Sequence, residues 1–196
     1  MLFCPGAGTS SFLGFGGEVV DALGVRLVGI DRPGLGSSDS APRRTLLDFA
    51  RDVEHFVAVR ELGAPRVVGF SQGAPFALAC AASGVVRAAA VVAGTDELAS
   101  APVRALLVPE VRAMVDEASA DPAAAEARFR GMSASMMHGM VRSMSAACDR
   151  AVYAEPAFDA AYRQALDEGF AKGPAGYARD TMLASRPWPF DPSTIT

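Results

Sequence analysis

Apolar residues in the N-terminal half of the chain fall into short continuous runs, separated by segments with helical spacing. One helix is indicated at residues 18–23 and ends at Gly24. A second is indicated from a Thr45–Asp48 capping box to Gly63. The apolar runs predict strands at residues 1–4, 25–30, 66–70 and 87–93. Strands that alternate with helices predict the α/β class, with a mostly parallel sheet flanked by helices. The run at 87–93 is uninterrupted, which predicts a strand buried on both faces.

One strand ends in a motif that can carry chemistry, Gly69-Phe70-Ser71-Gln72-Gly73, and an alanine-rich helical pattern follows at once. In this strand–turn–helix context, Gly-x-Ser-x-Gly forms a nucleophile elbow, which exposes the serine above the sheet. Gly69 and Gly73 let the backbones of strand and helix approach closely. The helix N-terminus and the free N–H of Gln72 favour an anion beside Ser71. The motif alone leaves open an ordinary Gly-Ser turn without chemistry.

Two further stretches accompany this motif: a loop of small residues at 5–11, and Asp-Arg-Pro-Gly-Leu-Gly-Ser-Ser-Asp at 31–39. In this order the three motifs resemble the α/β-hydrolase fold family, in its serine-nucleophile members, over residues 1–98. The resemblance implies a partial α/β-hydrolase fold with a helical cap insertion. We expect the N-terminal part of the core at residues 1–98, a cap at 99–183 and a return toward the core at 184–196.

The resemblance also implies catalytic roles. Ser71 would be the nucleophile, and the backbone N–H of Gln72 one donor of the oxyanion hole. The second donor would be the N–H of Gly6, with Ala7 the next choice, because Pro5 has no N–H.

The acid and the base of a catalytic triad are harder to place. The family order is serine, then acid, then histidine. His55 precedes Ser71 and His138 lies in the expected cap, so neither matches the family position. Asp96, after the last predicted strand, is a weak candidate for the acid, since it also fits an ordinary turn. We expect a chain truncated at both ends relative to the family, with the usual acid and histidine beyond Thr196.

The expected cap carries a stripe of methionines, because Met132, Met136, Met140 and Met144 recur every four residues. Such a stripe fits packing between cap and core. It also fits the flexible wall of an acyl pocket, with Phe70, Met136 and Met140 as substrate-binding residues.

Composition narrows the partners and the compartment. The 196 residues are 51% hydrophobic and 20% charged, with a net charge of -4 and no basic cluster, which argues against nucleic acid and anionic membranes as partners. Three scattered cysteines argue against a disulfide framework or a zinc site and favour the cytoplasm. No ligand cluster or phosphate-binding glycine pattern implies a metal or an organic cofactor.

These features support two hypotheses. The first is a serine hydrolase that acts on a small-molecule ester or related acyl compound through an acyl-enzyme at Ser71. The second is a non-catalytic α/β-hydrolase-like binding or scaffold protein, which the lack of a suitably placed histidine favours.

Overall fold

The computed structural model describes residues 1–195, and its centre is a four-stranded parallel sheet with the strand order β2-β1-β3-β4. The strands are β1 (Leu2–Cys4), β2 (Val28–Gly29), β3 (Arg66–Phe70) and β4 (Ala88–Val92). Because β1 and β3 are central neighbours, the loop after β1 and the turn after β3 meet at the same carboxyl edge. The predicted parallel α/β sheet is confirmed.

Three helices follow the first three strands: α1 (Gly17–Ala22), α2 (Leu46–Val59) and α3 (Ala74–Ala82). The predicted capping box is present, since the Thr45 hydroxyl accepts a hydrogen bond from the Asp48 N–H and the Asp48 carboxylate accepts one from the Thr45 N–H. Helices α2 and α3 cover one face of the sheet. The main core lies there and includes Leu2, Cys4, Phe49, Val53, Val67, Phe76 and Cys80.

Strand β4 differs from the prediction. The apolar run predicts burial on both faces, yet Val91 and Val92 are 48% and 49% exposed. Among the described residues no strand pairs with the outer edge of β4. An apolar cavity of about 420 Å³ lies against the opposite face of the sheet, beside Val68, Ala90 and Val92. An uninterrupted apolar run therefore identified the strand but not its burial. Strand β2 is also shorter than the predicted run at 25–30.

The rest of the chain is helical from residue 101 to residue 184, and we refer to this part as the helical segment. Its helices are α4 (Ala101–Leu106), α5 (Pro109–Ala120), α6 (Pro122–Phe129), α7 (Ala134–Met144), α8 (Ala147–Tyr153), α9 (Pro156–Gly169) and α10 (Ala175–Ala184). Proline stands in the first turn of α4, α5, α6 and α9, where its missing N–H costs nothing. Within residues 1–195, no helix is both long and apolar enough to span a bilayer.

Candidate active site

Ser71 sits in a strained turn at the end of β3. Its φ is +50°, a left-handed conformation that non-glycine residues adopt rarely and that is enriched at functional sites. A short 3₁₀ turn at Ser71–Gly73 then leads directly into α3. The Ser71 carbonyl accepts a hydrogen bond of 3.1 Å from the N–H of Thr95, which ties the turn to the segment that follows β4. This geometry is the strand–turn–helix elbow that the motif predicts.

The elbow requires both of its glycines. A Cβ atom on Gly69 would lie 2.8 Å from Ala74 Cα, and one on Gly73 would lie 2.0 Å from the Cys4 carbonyl oxygen. Real Cβ atoms do not approach other atoms so closely, so only glycine lets α3 and β1 close on the turn.

The loop at residues 5–11 lies beside Ser71. A Cβ atom on Gly6 would be 3.5 Å from Ser71 Cβ and 3.3 Å from Phe70 Cδ1. In the described part of the chain, the N–H groups of Gly6 and Gln72 donate no hydrogen bond to another protein group. Two free donors next to one serine hydroxyl can stabilise an oxyanion that forms there.

The loop is held from two directions. The Ser10 N–H donates a 2.9 Å hydrogen bond to the Ala165 carbonyl, and Gly169 packs so closely on Gly8 that a Cβ atom would lie 2.0 Å from the Gly8 oxygen. Helix α9 therefore rests directly on the loop. On the other side, the Asp31 carboxylate accepts hydrogen bonds from the N–H groups of Ser11 and of Ser37.

A cavity of about 80 Å³ opens at Ser71. Its lining residues come from the loop, from Leu13 just after it, from the elbow and from α7, α8 and α9: Gly6, Ala7, Thr9, Leu13, Phe70, Ser71, Val141, Tyr153 and Tyr162. Burial raises the pKa of both tyrosine hydroxyls, so they stay neutral donors at physiological pH. Larger cavities exist elsewhere, but none of them includes Ser71.

The structure brings only some of the expected site residues to this cavity. Ser71, Gly6 and Phe70 line it, with the buried Gln72 next in sequence. Met136 and Met140 do not line it, and their side chains are 56% and 37% exposed. From the same helix, Val141 reaches the cavity, while the buried Met137 does not line it and belongs to the apolar cluster behind it, together with Leu13 and Tyr162.

Asp96 lies in an exposed irregular segment after β4, where its carboxylate accepts a hydrogen bond from the Glu97 N–H. It does not line the cavity, although its neighbour Thr95 bonds to the Ser71 carbonyl. The structure therefore places Asp96 near the elbow without bringing its side chain to Ser71.

Neither histidine hydrogen-bonds to Ser71. His55 is exposed on α2. His138 is buried in α7, where its Nε2 atom lies 2.7 Å from Asp159 Oδ1 and its ring centroid lies 5.8 Å from that of Tyr162. Hydrogen bonds from Arg163 first, and then from His138, hold the pKa of Asp159 below its ordinary value. Across residues 1–195, no group of three or more potential metal ligands clusters together.

Sequence reasoning missed the buried ion network behind the loop. Arg32 is completely buried and donates from Nη1 to the Pro5 carbonyl and, at 2.8 Å, from Nη2 to the Gly6 carbonyl. Its Nε donates to Asp180 of α10 at 2.6 Å. The only signal in the sequence is the position of Arg32 within the 31–39 motif. Tyr153 and Tyr162 gave no signal at all.

A comparison with protein-family models matches residues 1–180 to the α/β hydrolase fold. A search of curated proteins returned no match. The family match covers most of the chain and agrees with the parallel sheet and the elbow seen here. The chain therefore belongs to the α/β hydrolase fold family.

Proposed function

We propose that this protein is a serine hydrolase that cleaves small esters through an acyl-enzyme at Ser71. The observation that carries the proposal is the strained Ser71 at the end of β3, which stands beside the free N–H groups of Gly6 and Gln72. Serine, rather than a carboxylate, at the elbow favours an acyl intermediate over an alkyl one.

The reaction would run in two steps. Ser71 Oγ attacks the ester carbonyl carbon as its proton passes to a base, and the carbonyl oxygen becomes an oxyanion bound by the N–H groups of Gly6 and Gln72. Collapse of this intermediate expels the alcohol, which takes up the proton, and leaves the acyl group on Oγ. Water then releases the carboxylic acid and restores the hydroxyl. The proposal assigns no described residue as the base, since neither histidine hydrogen-bonds to Ser71.

The size of the cavity supports a small acyl group. Its volume of about 80 Å³ is below the roughly 150 Å³ of an engineered cavity that holds a benzene molecule. Val141, Tyr153 and Tyr162 close one side of it. We therefore propose that residues 99–183 act as a cap and limit the length of the acyl chain.

Hydrolysis of 4-nitrophenyl esters with two- to eight-carbon acyl groups tests this proposal. We expect the two-carbon ester to be preferred, and activity to disappear in Ser71→Ala but not in Ser83→Ala, a matched change at an exposed serine. Val141→Ala should improve the relative rate on longer esters, whereas Met140→Ala next to it should not. Hydrolysis that survives in Ser71→Ala would contradict the proposal.

The second candidate is a binding protein that keeps the cavity without the reaction. The Ser71 hydroxyl has no hydrogen-bond partner among residues 1–195, and the lack of a base beside it favours this second candidate. A folded protein that turns over none of these esters would support this second candidate.

A further inference from the structure

Arg32 is fixed in a single orientation behind the loop that carries Gly6. Its guanidinium uses Nε, Nη1 and Nη2 on three separate acceptors: Asp180, the Pro5 carbonyl and the Gly6 carbonyl. It also lies over the Phe76 ring, 5.0 Å from its centroid. A planar group held at three points on a completely buried side chain has no freedom to turn. The position of Gly6 therefore depends on the position of Arg32.

Asp180 anchors Arg32 to α10. It is completely buried, and its second carboxylate oxygen accepts a hydrogen bond from Arg44, which also donates to the Gly176 carbonyl at 3.1 Å. Two buried guanidinium groups thus share one buried carboxylate. Such an arrangement costs much desolvation energy, and it tolerates little change in geometry, because each charge depends on its partner.

Thr181, the next residue of α10, contacts the side chain of Gln72, whose backbone N–H is the other candidate donor. The Gln72 side chain donates from Nε2 to Thr181 Oγ1 at 3.0 Å, and this hydroxyl donates in turn to the Tyr177 carbonyl at 2.9 Å. Gln72 and Thr181 are both buried. The side chain of the residue that follows Ser71 is therefore tied to the same helix.

Helix α10 has little room to shift. Gly176 packs on Gly34 so tightly that a Cβ atom on Gly176 would lie 2.4 Å from the Gly34 oxygen. The 31–39 motif thus supports α10 as well as the loop at residues 5–11.

We propose that α10 positions the oxyanion hole. Asp180, acting through Arg32, holds the Gly6 side of the hole, and Thr181, acting through the Gln72 side chain, holds the other. Two consecutive residues at the end of the helical segment then fix the separation of the two N–H donors. This inference rests on the proposed function, because the donors matter only if an oxyanion forms at Ser71.

The test measures the rate at which a fluorophosphonate labels Ser71, separated into the maximal labelling rate and the half-saturating concentration. Thr181→Val removes the hydroxyl and keeps the shape of the side chain, and Thr181→Ser keeps the hydroxyl. Thr194→Val is the matched control, since Thr194 is exposed and does not line the cavity. Arg32→Lys keeps the charge but cannot reach both loop carbonyls and Asp180 at once.

We expect Thr181→Val to lower the maximal rate by about tenfold, less than the roughly hundredfold or greater cost of losing a donor outright, with the half-saturating concentration unchanged. Thr181→Ser should restore the rate, and Arg32→Lys should lower it. Gln72→Met removes the same hydrogen bond from the other side, so its effect should not add to that of Thr181→Val. Thermal melts show which variants are folded, and if Thr181→Val is not, Gln72→Met tests the same hydrogen bond from its other end.

A labelled parent protein whose folded Thr181→Val and Gln72→Met variants react at the parent rate would overturn the inference and leave the proposed function intact. A parent protein that is not labelled at Ser71 would reject the proposed function, and the inference with it.

Discussion

Arg32 and Asp180 form an ion pair of 2.6 Å between two completely buried side chains that are 148 residues apart in the sequence. The pair joins the turn after β2 to the helix that ends the helical segment. Because Arg32 also bonds to the Pro5 and Gly6 carbonyls, the loop beside Ser71 is tied to the far end of the chain.

Removing the shared carboxylate should be costly. In Asp180→Asn both Arg32 and Arg44 lose their buried counter-charge, so the free energy of unfolding should fall by about 3–5 kcal/mol. Asp116→Asn is the matched control, because the Arg104–Asp116 pair is largely exposed and should be worth no more than about 1 kcal/mol. Urea unfolding measures both values. Equal, small losses in the two variants would contradict the buried network.

The elbow should not tolerate a methyl group at residue 73. Gly73→Ala would place a Cβ atom 2.0 Å from the Cys4 oxygen, so we expect a loss of about 1–3 kcal/mol or more in stability, together with displacement of the turn. Gly139→Ala on α7 meets no atom within 4 Å and should instead stabilise the protein by up to about 1 kcal/mol. Thermal denaturation compares the two variants. A neutral Gly73→Ala would show that β1 and α3 do not close on the turn.

The three cysteines should differ in reactivity. Cys148 is exposed, whereas Cys4 and Cys80 are buried. Burial raises the pKa of Cys4 to about 12 and also raises that of Cys80, so neither thiol ionises at neutral pH. An aromatic disulfide reagent, which releases a coloured thiolate for each cysteine that it modifies, should react with Cys148 alone in the native protein. In denaturant it should react with all three cysteines. Fast reaction of Cys4 in the native state would contradict the packing of β1.

Two carboxylates make stability depend on pH. Hydrogen bonds from the Thr45 hydroxyl and then from its N–H lower the pKa of Asp48, and hydrogen bonds from Arg163 and His138 lower that of Asp159. In the unfolded chain an aspartate has a pKa of about 3.9, so at lower pH the unfolded state binds more protons and the native state loses stability. These contributions should be complete above about pH 5 and decline below about pH 4. Between pH 6 and pH 3, the melting temperature of Asp48→Asn should fall less steeply than that of the parent protein. An equal fall would contradict the contribution of Asp48.

Local patterns predicted the elbow and the helix caps, because the residues that determine them lie within a few positions of one another. Ser71 between Gly69 and Gly73, and Thr45 with Asp48, are of this kind. The Arg32–Asp180 pair has no local signature, since its partners meet only when α10 packs behind the loop. Spacing places Met136 and Met140 on one face of a helix, but it does not determine which face of that helix is buried. The structure leaves both side chains exposed. The burial of β4 likewise depends on what covers it rather than on its own residues.

Selective modification of Ser71 tests the central claim most directly. The purified protein is treated with a fluorophosphonate, digested, and analysed by mass spectrometry to locate the adduct, with Ser71→Ala in parallel. An oxyanion hole alone can retain roughly a thousandfold of rate enhancement, so Ser71 should react ahead of every other serine. Labelling at Ser71 that is absent from Ser71→Ala is the predicted result. A folded protein whose Ser71 reacts no faster than its exposed serines would contradict the assignment of Ser71 as the nucleophile.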